Sequence, residues 1–99
     1  MITHIVLLAP APGAAAELEK VGHDAVGLAD EIPGIVDIHF GRDTSPEDLA
    51  NGYTHGLVVT FVDAAARDAY LPHPAHVAFG TRMGPHISAI AVVDIERPA

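Results

Sequence analysis

The side chains able to do chemistry in this chain gather in two segments, Gly52-Tyr53-Thr54-His55 and Tyr70-Leu71-Pro72-His73-Pro74-Ala75-His76. His4 near the start and Asp94 near the end join them. Three imidazoles (His4, His55, His76), the phenol of Tyr70 and the Asp94 carboxylate form a set suited to moving protons near neutral pH. An unperturbed imidazole titrates near ~6.5, whereas tyrosine and aspartate titrate far from it. They act together only if the fold brings them to one place.

Each of these residues also has a plainer reading. His4 and His55 share strand faces with aliphatic neighbours, so either could be a core histidine satisfied by backbone or hydroxyl partners. Tyr70 could be a rim aromatic at a corner. Asp94 could accept the Nδ1–H of a histidine, as carboxylates do for catalytic imidazoles, or simply face water. What favours a site is recurrence: two central strands each carry an imidazole near one end, among apolar side chains, as small-ligand pockets are built. A helix broken by Pro72 and Pro74 loses donors and packing, but it fixes where Tyr70 ends and His76 begins.

His73 and His76 have a short metal-like spacing, but no partner pair accompanies them and no metal is expected. His73 reads as a cap or a solvent-facing residue, and His23, His39 and His86 as surface or boundary residues. The glycines form neither GxGxxG nor GxxxxGK[ST], and Ser45 and Ser88 sit in no nucleophile motif.

Ninety-nine residues make one domain, 1–99, with a small core. Five basic against thirteen acidic residues give a formal charge of −8, and Lys20, Arg42, Arg67, Arg82 and Arg97 are scattered. Nucleic-acid binding needs clustered cations, so that class is set aside, as are anionic membranes and highly charged anionic substrates. The absence of cysteine excludes disulfides and thiolate chemistry. With no apolar run near ~20 residues, a soluble, cytoplasmic protein is expected.

The elements that must position the site residues follow from periodicity. Thr3–Leu8 reads as a strand closed by the breaker cluster Ala9–Gly13. Leu18, Val21, Ala25, Leu28 and Ile32 recur three or four apart, predicting an amphipathic helix from about Ala14 to Ile32 that Pro33-Gly34 stops. Ile35–Phe40 and Tyr53–Phe61 are the second and third strands. Asp63 caps a helix running toward Tyr70, a second helical piece spans about Pro74–Gly84, and Ile87–Glu96 is the last strand.

The order β-α-β-β-α-β predicts an α+β, ferredoxin-like fold: a four-stranded antiparallel sheet with its helices on one face. Such a sheet should alternate polar and apolar residues, yet Ile87, Ala89, Ala91, Val93 and Ile95 on one side face Ile90 and Val92 on the other. Both faces read as buried. A second copy of the sheet is the simplest cover, so a homodimer is expected.

On these residues the chain resembles the stress-responsive dimeric α/β-barrel (Dabb) domain over essentially its whole length. The marks are His4-Ile5-Val6-Leu7, Ile32-Pro33-Gly34-Ile35, Gly52-Tyr53-Thr54-His55, and Tyr70 followed by His73-Pro74-Ala75-His76-Val77 and Phe79-Gly80. The resemblance implies a dimer of two ferredoxin-like sheets closed into a barrel. Within the family the chain is similar to cofactor-independent polyketide cyclases. That similarity implies a catalytic imidazole at His76, a working tyrosine at Tyr70, a supporting carboxylate at Asp94 and substrate-facing histidines at His4 and His55. Where the cyclases present bulky aromatics on the first helix, this chain has Val21, Gly22 and Ala25, which implies a wider or differently shaped pocket.

The expected activity is intramolecular aldol condensation of a linear poly-β-keto substrate without a cofactor, with His76 oriented by Asp94 as base. Two alternatives stand beside it. One is a non-catalytic, stress-associated dimer that binds a small apolar or keto compound, and the other is a monooxygenase-like dimeric α+β barrel.

Overall fold

The computed structural model describes residues 1–98. Strand β1 (Ile2–Pro10) lies between β3 (His55–Phe61) and β4 (Ile87–Glu96), and β2 (Ile35–Arg42) pairs with the far side of β3. All pairings are antiparallel, in the order β2-β3-β1-β4. Helices α1 (Ala15–Asp24), α2 (Ala64–Tyr70) and α3 (Pro74–Met83) complete a ferredoxin-like α+β fold. Among the described residues no helix is long and apolar enough to cross a membrane.

Register decides which side chains share a face. His4 sits opposite Val59 on β3 and Asp94 on β4; Val6 opposite Leu57 and Val92; Leu8 opposite His55 and Ile90. With side chains alternating every residue, His4, Val6 and Leu8 fall on the side of the sheet that carries His55, Leu57, Val59 and Phe61, and all seven are buried. Leu18, Val21, Ala25, Leu28 and Ile32 pack down on them together with Ile38 and Phe40. Burying each large apolar side chain contributes about 1.5–3 kcal/mol, so this layer is the main source of stability.

Three boundaries differ from expectation. The first helix is α-helical only to Asp24 and tightens into a 3₁₀ segment over Ala25–Asp30. Gly22 and Gly27 weaken α propensity there, and the tighter turn still delivers Leu28 and Ile32 to the core. Strand β3 begins at His55 rather than Tyr53, because Asn51 and Gly52 take positive φ (55° and 86°) and turn the chain first. Strand β1 extends to Pro10 because β4 continues to pair with it as far as Ile87.

The helix caps match their residues. Asp63 accepts the Ala66 N–H at 2.8 Å, and His73 Nδ1 accepts the Ala75 N–H at 3.1 Å with Pro74 as the first helical residue.

The other face of the sheet has no cover among the described residues. Ile5, Leu7, Val58, Ala91, Val93 and Ile95 line it, with Val93 57% and Ile95 55% exposed. The apolar character read from both sides of the strands is therefore present, while a single chain buries only one side.

Candidate active site

The break between α2 and α3 builds the site. Had the helix continued, the Leu71 carbonyl would accept the Ala75 N–H, but His73 takes that donor instead. The freed Leu71 carbonyl accepts from His76 Nδ1 at 2.9 Å. A carbonyl only accepts, so Nδ1 carries the proton and the neutral ring keeps its lone pair on Nε2. His76 is thereby a fixed tautomer whose basic nitrogen has no partner among the described residues.

Tyr70, the last residue of α2, is 1% exposed. Its ring lies 4.1 Å from that of His76, 4.9 Å from Phe61 and 5.9 Å from His4, centroid to centroid. The phenol hydroxyl makes no hydrogen bond with another described residue; among these residues no fully buried side-chain oxygen is left without a partner, so this one opens onto the cleft. Burial pushes its pKa up to about 12. Tyr70 is therefore a donor, not a base, across the neutral range.

His4 Nδ1 meets Asp94 Oδ1 at 2.6 Å, and Asp94 Oδ2 accepts from Arg67 Nη1 at 2.9 Å. Burial alone would raise the Asp94 carboxyl, but the hydrogen bonds from His4 and Arg67 outweigh it and hold the group below its ordinary value. With a carboxylate accepting at Nδ1, the neutral His4 ring also keeps Nε2 for other partners.

His4, Tyr70 and His76 line one cleft of about 280 Å³ between α3 and the β1–β4 half of the sheet. Val6, Leu8, Leu57, Phe79, Met83, Ile90 and Val92 form its apolar walls. Ile90 and Val92 are more than half exposed, although they sit on the helix side, because the helices do not reach over the edge strand β4. The site is a greasy trough with two imidazoles and one phenol.

Three expectations need correction. His55 does not share the hollow with His4: it pairs with Leu8, four residues along the strand and about 13 Å away. Both its nitrogens are used within the protein, Nε2 by Glu19 at 2.9 Å and Nδ1 by Thr54 Oγ1 at 2.7 Å, and its ring stacks on Phe40. His55 is buried, held by a carboxylate on one side and a hydroxyl on the other. Second, Asp94 orients His4 rather than His76, because the β1–β4 register sets those two opposite one another.

Third, Val21, Gly22 and Ala25 open no pocket. All three are buried, and a Cβ at Gly22 would overlap the Phe40 ring, which fills the space the small residues leave.

Sequence reasoning overlooked Arg67, the Leu71 carbonyl and Glu19. Glu19 bonds both Arg42 and His55; Arg42 first and then His55 draw its carboxyl down to about 2. Arg67 had one available signal, its place one helical turn before Tyr70 on the same helix. The Leu71 carbonyl had none, since every residue carries one.

With this geometry described, comparison with known proteins is informative. The model of the stress responsive A/B barrel domain matches residues 2–97. The chain belongs to the Dabb family. Among its relatives, olivetolic acid cyclase of Cannabis sativa is 37% identical over 65 residues, covering 66% of this chain and 64% of that enzyme, so the match spans just under two thirds of the enzyme's length. The stress-response A/B barrel domain-containing protein HS1 of Arabidopsis thaliana is 32% identical over 94 residues, covering 94% of this chain and 86% of that protein. A solved structure from Jannaschia sp., described as a dimeric ferredoxin-like protein of unknown function, superposes with a TM-score of 0.86 at 33% identity, covering 97% of this chain and 98% of that one. The Dabb relatives of this chain thus include a small-molecule-processing enzyme and a dimeric ferredoxin-like protein.

Proposed function

We propose that this Dabb protein is a homodimeric, cofactor-independent cyclase that closes a linear poly-β-keto substrate by intramolecular aldol condensation. The observation that carries this reading is a tyrosine whose hydroxyl has no hydrogen-bond partner among the described residues, its buried ring 4.1 Å from an imidazole whose Nε2 also has none among them, in an apolar cleft.

His76 Nε2 takes a proton from a methylene flanked by two carbonyls, which is already acidic enough for a neutral imidazole. The carbanion carbon attacks a ketone carbon further along the same chain, and the new C–C bond leaves an alkoxide. Tyr70 donates a hydrogen bond to that oxygen, and the proton held by His76 returns to it. Loss of water then aromatises the ring. His4, braced by Asp94, holds another substrate oxygen. General-base help is worth about 10²–10⁴-fold, and a donor aimed at the developing charge in an apolar cleft about 10²–10³-fold. Folding the substrate so that its two carbons meet is a positioning task for the apolar walls.

The dimer follows from the open sheet face. A contiguous apolar surface of this kind suits an interface, and a second copy of the sheet would cover it with the same apolar chemistry.

The test is incubation with a polyketide synthase that releases a linear tetraketide. Resorcylic acid above the spontaneous lactone is expected from the wild type and not from His76→Ala. No cyclised acid from either protein would refute the reading. In that case the apolar cleft favours the second reading, a dimer that binds small apolar or keto compounds without turnover; thermal shift with such compounds would reveal it.

A further inference from the structure

Arg67 has no place in the chemistry described so far, yet its guanidinium holds two carboxylates at once. Nη1 donates to Asp94 Oδ2 at 2.9 Å and Nε to Asp68 Oδ1 at 2.9 Å, with the side chain 24% exposed. Asp94 in turn divides its oxygens, Oδ2 to Arg67 and Oδ1 to His4 Nδ1 at 2.6 Å. Three elements are joined by this chain of contacts: α2, the edge strand β4 and the central strand β1.

We infer that Arg67 is a positioning residue for the cleft: it fixes the Asp94 carboxylate so that Oδ1 accepts His4 Nδ1–H and His4 Nε2 is presented to substrate.

The physical case has three parts. Strand β4 is an edge strand, and α2 lies mainly over β3, with Arg67 as the α2 side chain that reaches Asp94. The Asp94 rotamer is held by two hydrogen bonds to its carboxylate, one from Arg67 and one from His4, both of the charge-assisted kind. Arg67 also stands three residues before Tyr70 on α2, where i and i+3 lie on the same side of a helix. One side chain thereby ties the helix that carries the phenol to the strand that braces the imidazole. Lysine cannot replace it fully, because a single ammonium lacks the fork that serves Asp94 and Asp68 together. The charged and titratable groups around Asp94 are His4 from β1, Arg67 from α2, and Asp68 beyond Arg67; Tyr70 and His76 lie further in along the cleft.

The role rests on the proposed reading that His4 serves the substrate, but its test does not require turnover. Carboxyl-carbon NMR of Asp94 and the low-field imidazole N–H proton of His4 are followed against pH in the wild type, Arg67→Met, Arg67→Lys and Asp68→Asn. In Arg67→Met the Asp94 titration moves upward toward the ordinary carboxylate range, and the His4 Nδ1–H signal broadens or disappears. Arg67→Lys falls between, and Asp68→Asn leaves both signals as in the wild type. Unchanged Asp94 and His4 signals in a folded Arg67→Met protein would overturn the role; if that variant does not fold, wild-type signals in Arg67→Lys do so. Shifted signals in a protein that never cyclises a tetraketide would leave the positioning role standing and end the cyclase reading alone.

Discussion

Asp94 Oδ1 lies 2.6 Å from His4 Nδ1, while the nearby His76 takes its orientation from the Leu71 carbonyl at 2.9 Å. The two imidazoles of the cleft are thus anchored differently, one by a charge and one by a neutral acceptor. A carboxylate stabilises an imidazolium; a carbonyl merely fixes a tautomer. Under the proposed function His76 is the base and His4 holds a substrate oxygen.

His76→Ala removes that base while breaking one hydrogen bond of a half-buried ring. Tetraketide cyclisation should fall about 10²–10⁴-fold, with stability reduced by about 1 kcal/mol. A variant that cyclises at the wild-type rate would exclude His76 as the base.

Tyr70→Phe separates chemistry from folding. The phenol has no bonding partner among the described residues, so its loss should change denaturant stability by less than about 0.5 kcal/mol. Turnover should drop about 10²–10³-fold, as when an oxyanion donor is removed. Equal losses of stability and activity would mean that the hydroxyl is structural.

Stability should fall at both ends of the pH scale, for separate reasons. Glu19 has its pKa lowered from 4.5 to about 2, so its contribution is complete above 4.5 and is lost as pH falls through about 2. Tyr70 has its pKa raised from 10.0 to about 12, so its contribution is complete below 10.0 and is lost as pH rises through about 12. Unfolding free energies measured across pH should show Glu19→Gln flattening only the acid limb and Tyr70→Phe only the alkaline limb. An acid limb that stays as steep in Glu19→Gln would place its origin elsewhere.

Gly22→Ala should destabilise, although alanine is the better helix former by about 1 kcal/mol. The added methyl would overlap the Phe40 ring in a buried layer, and overpacking of this kind costs about 1–3 kcal/mol. Pairing it with Phe40→Leu should recover part of the loss. Thermal denaturation of the single and double variants decides the matter, and additive losses would refute the interlock.

Light scattering after size exclusion should give twice the chain mass for the wild type. Val93→Glu places a charge in the middle of the open apolar face and should yield monomer. A monomeric wild type at micromolar concentration would remove the dimer.

The sequence by itself determined the secondary elements, their order and which residues of each strand share a face. Those properties rest on local chemistry: the period-two alternation of His4, Val6 and Leu8, the cap at Asp63, the proline break after Tyr70. It also marked Tyr70, His76 and His4 as candidates, since their side-chain types and their placement beside breaks and apolar runs are local facts. Pairing register was beyond it. Only the assembled sheet set His4 opposite Asp94, moved His55 some four residues down the strand to Glu19 and Thr54, and filled the space above Gly22 with Phe40. Each of those outcomes depends on which residue of one strand meets which of another, and on how much volume a distant ring occupies. Register and volume are properties of the whole packed layer, and no stretch of chain carries them alone.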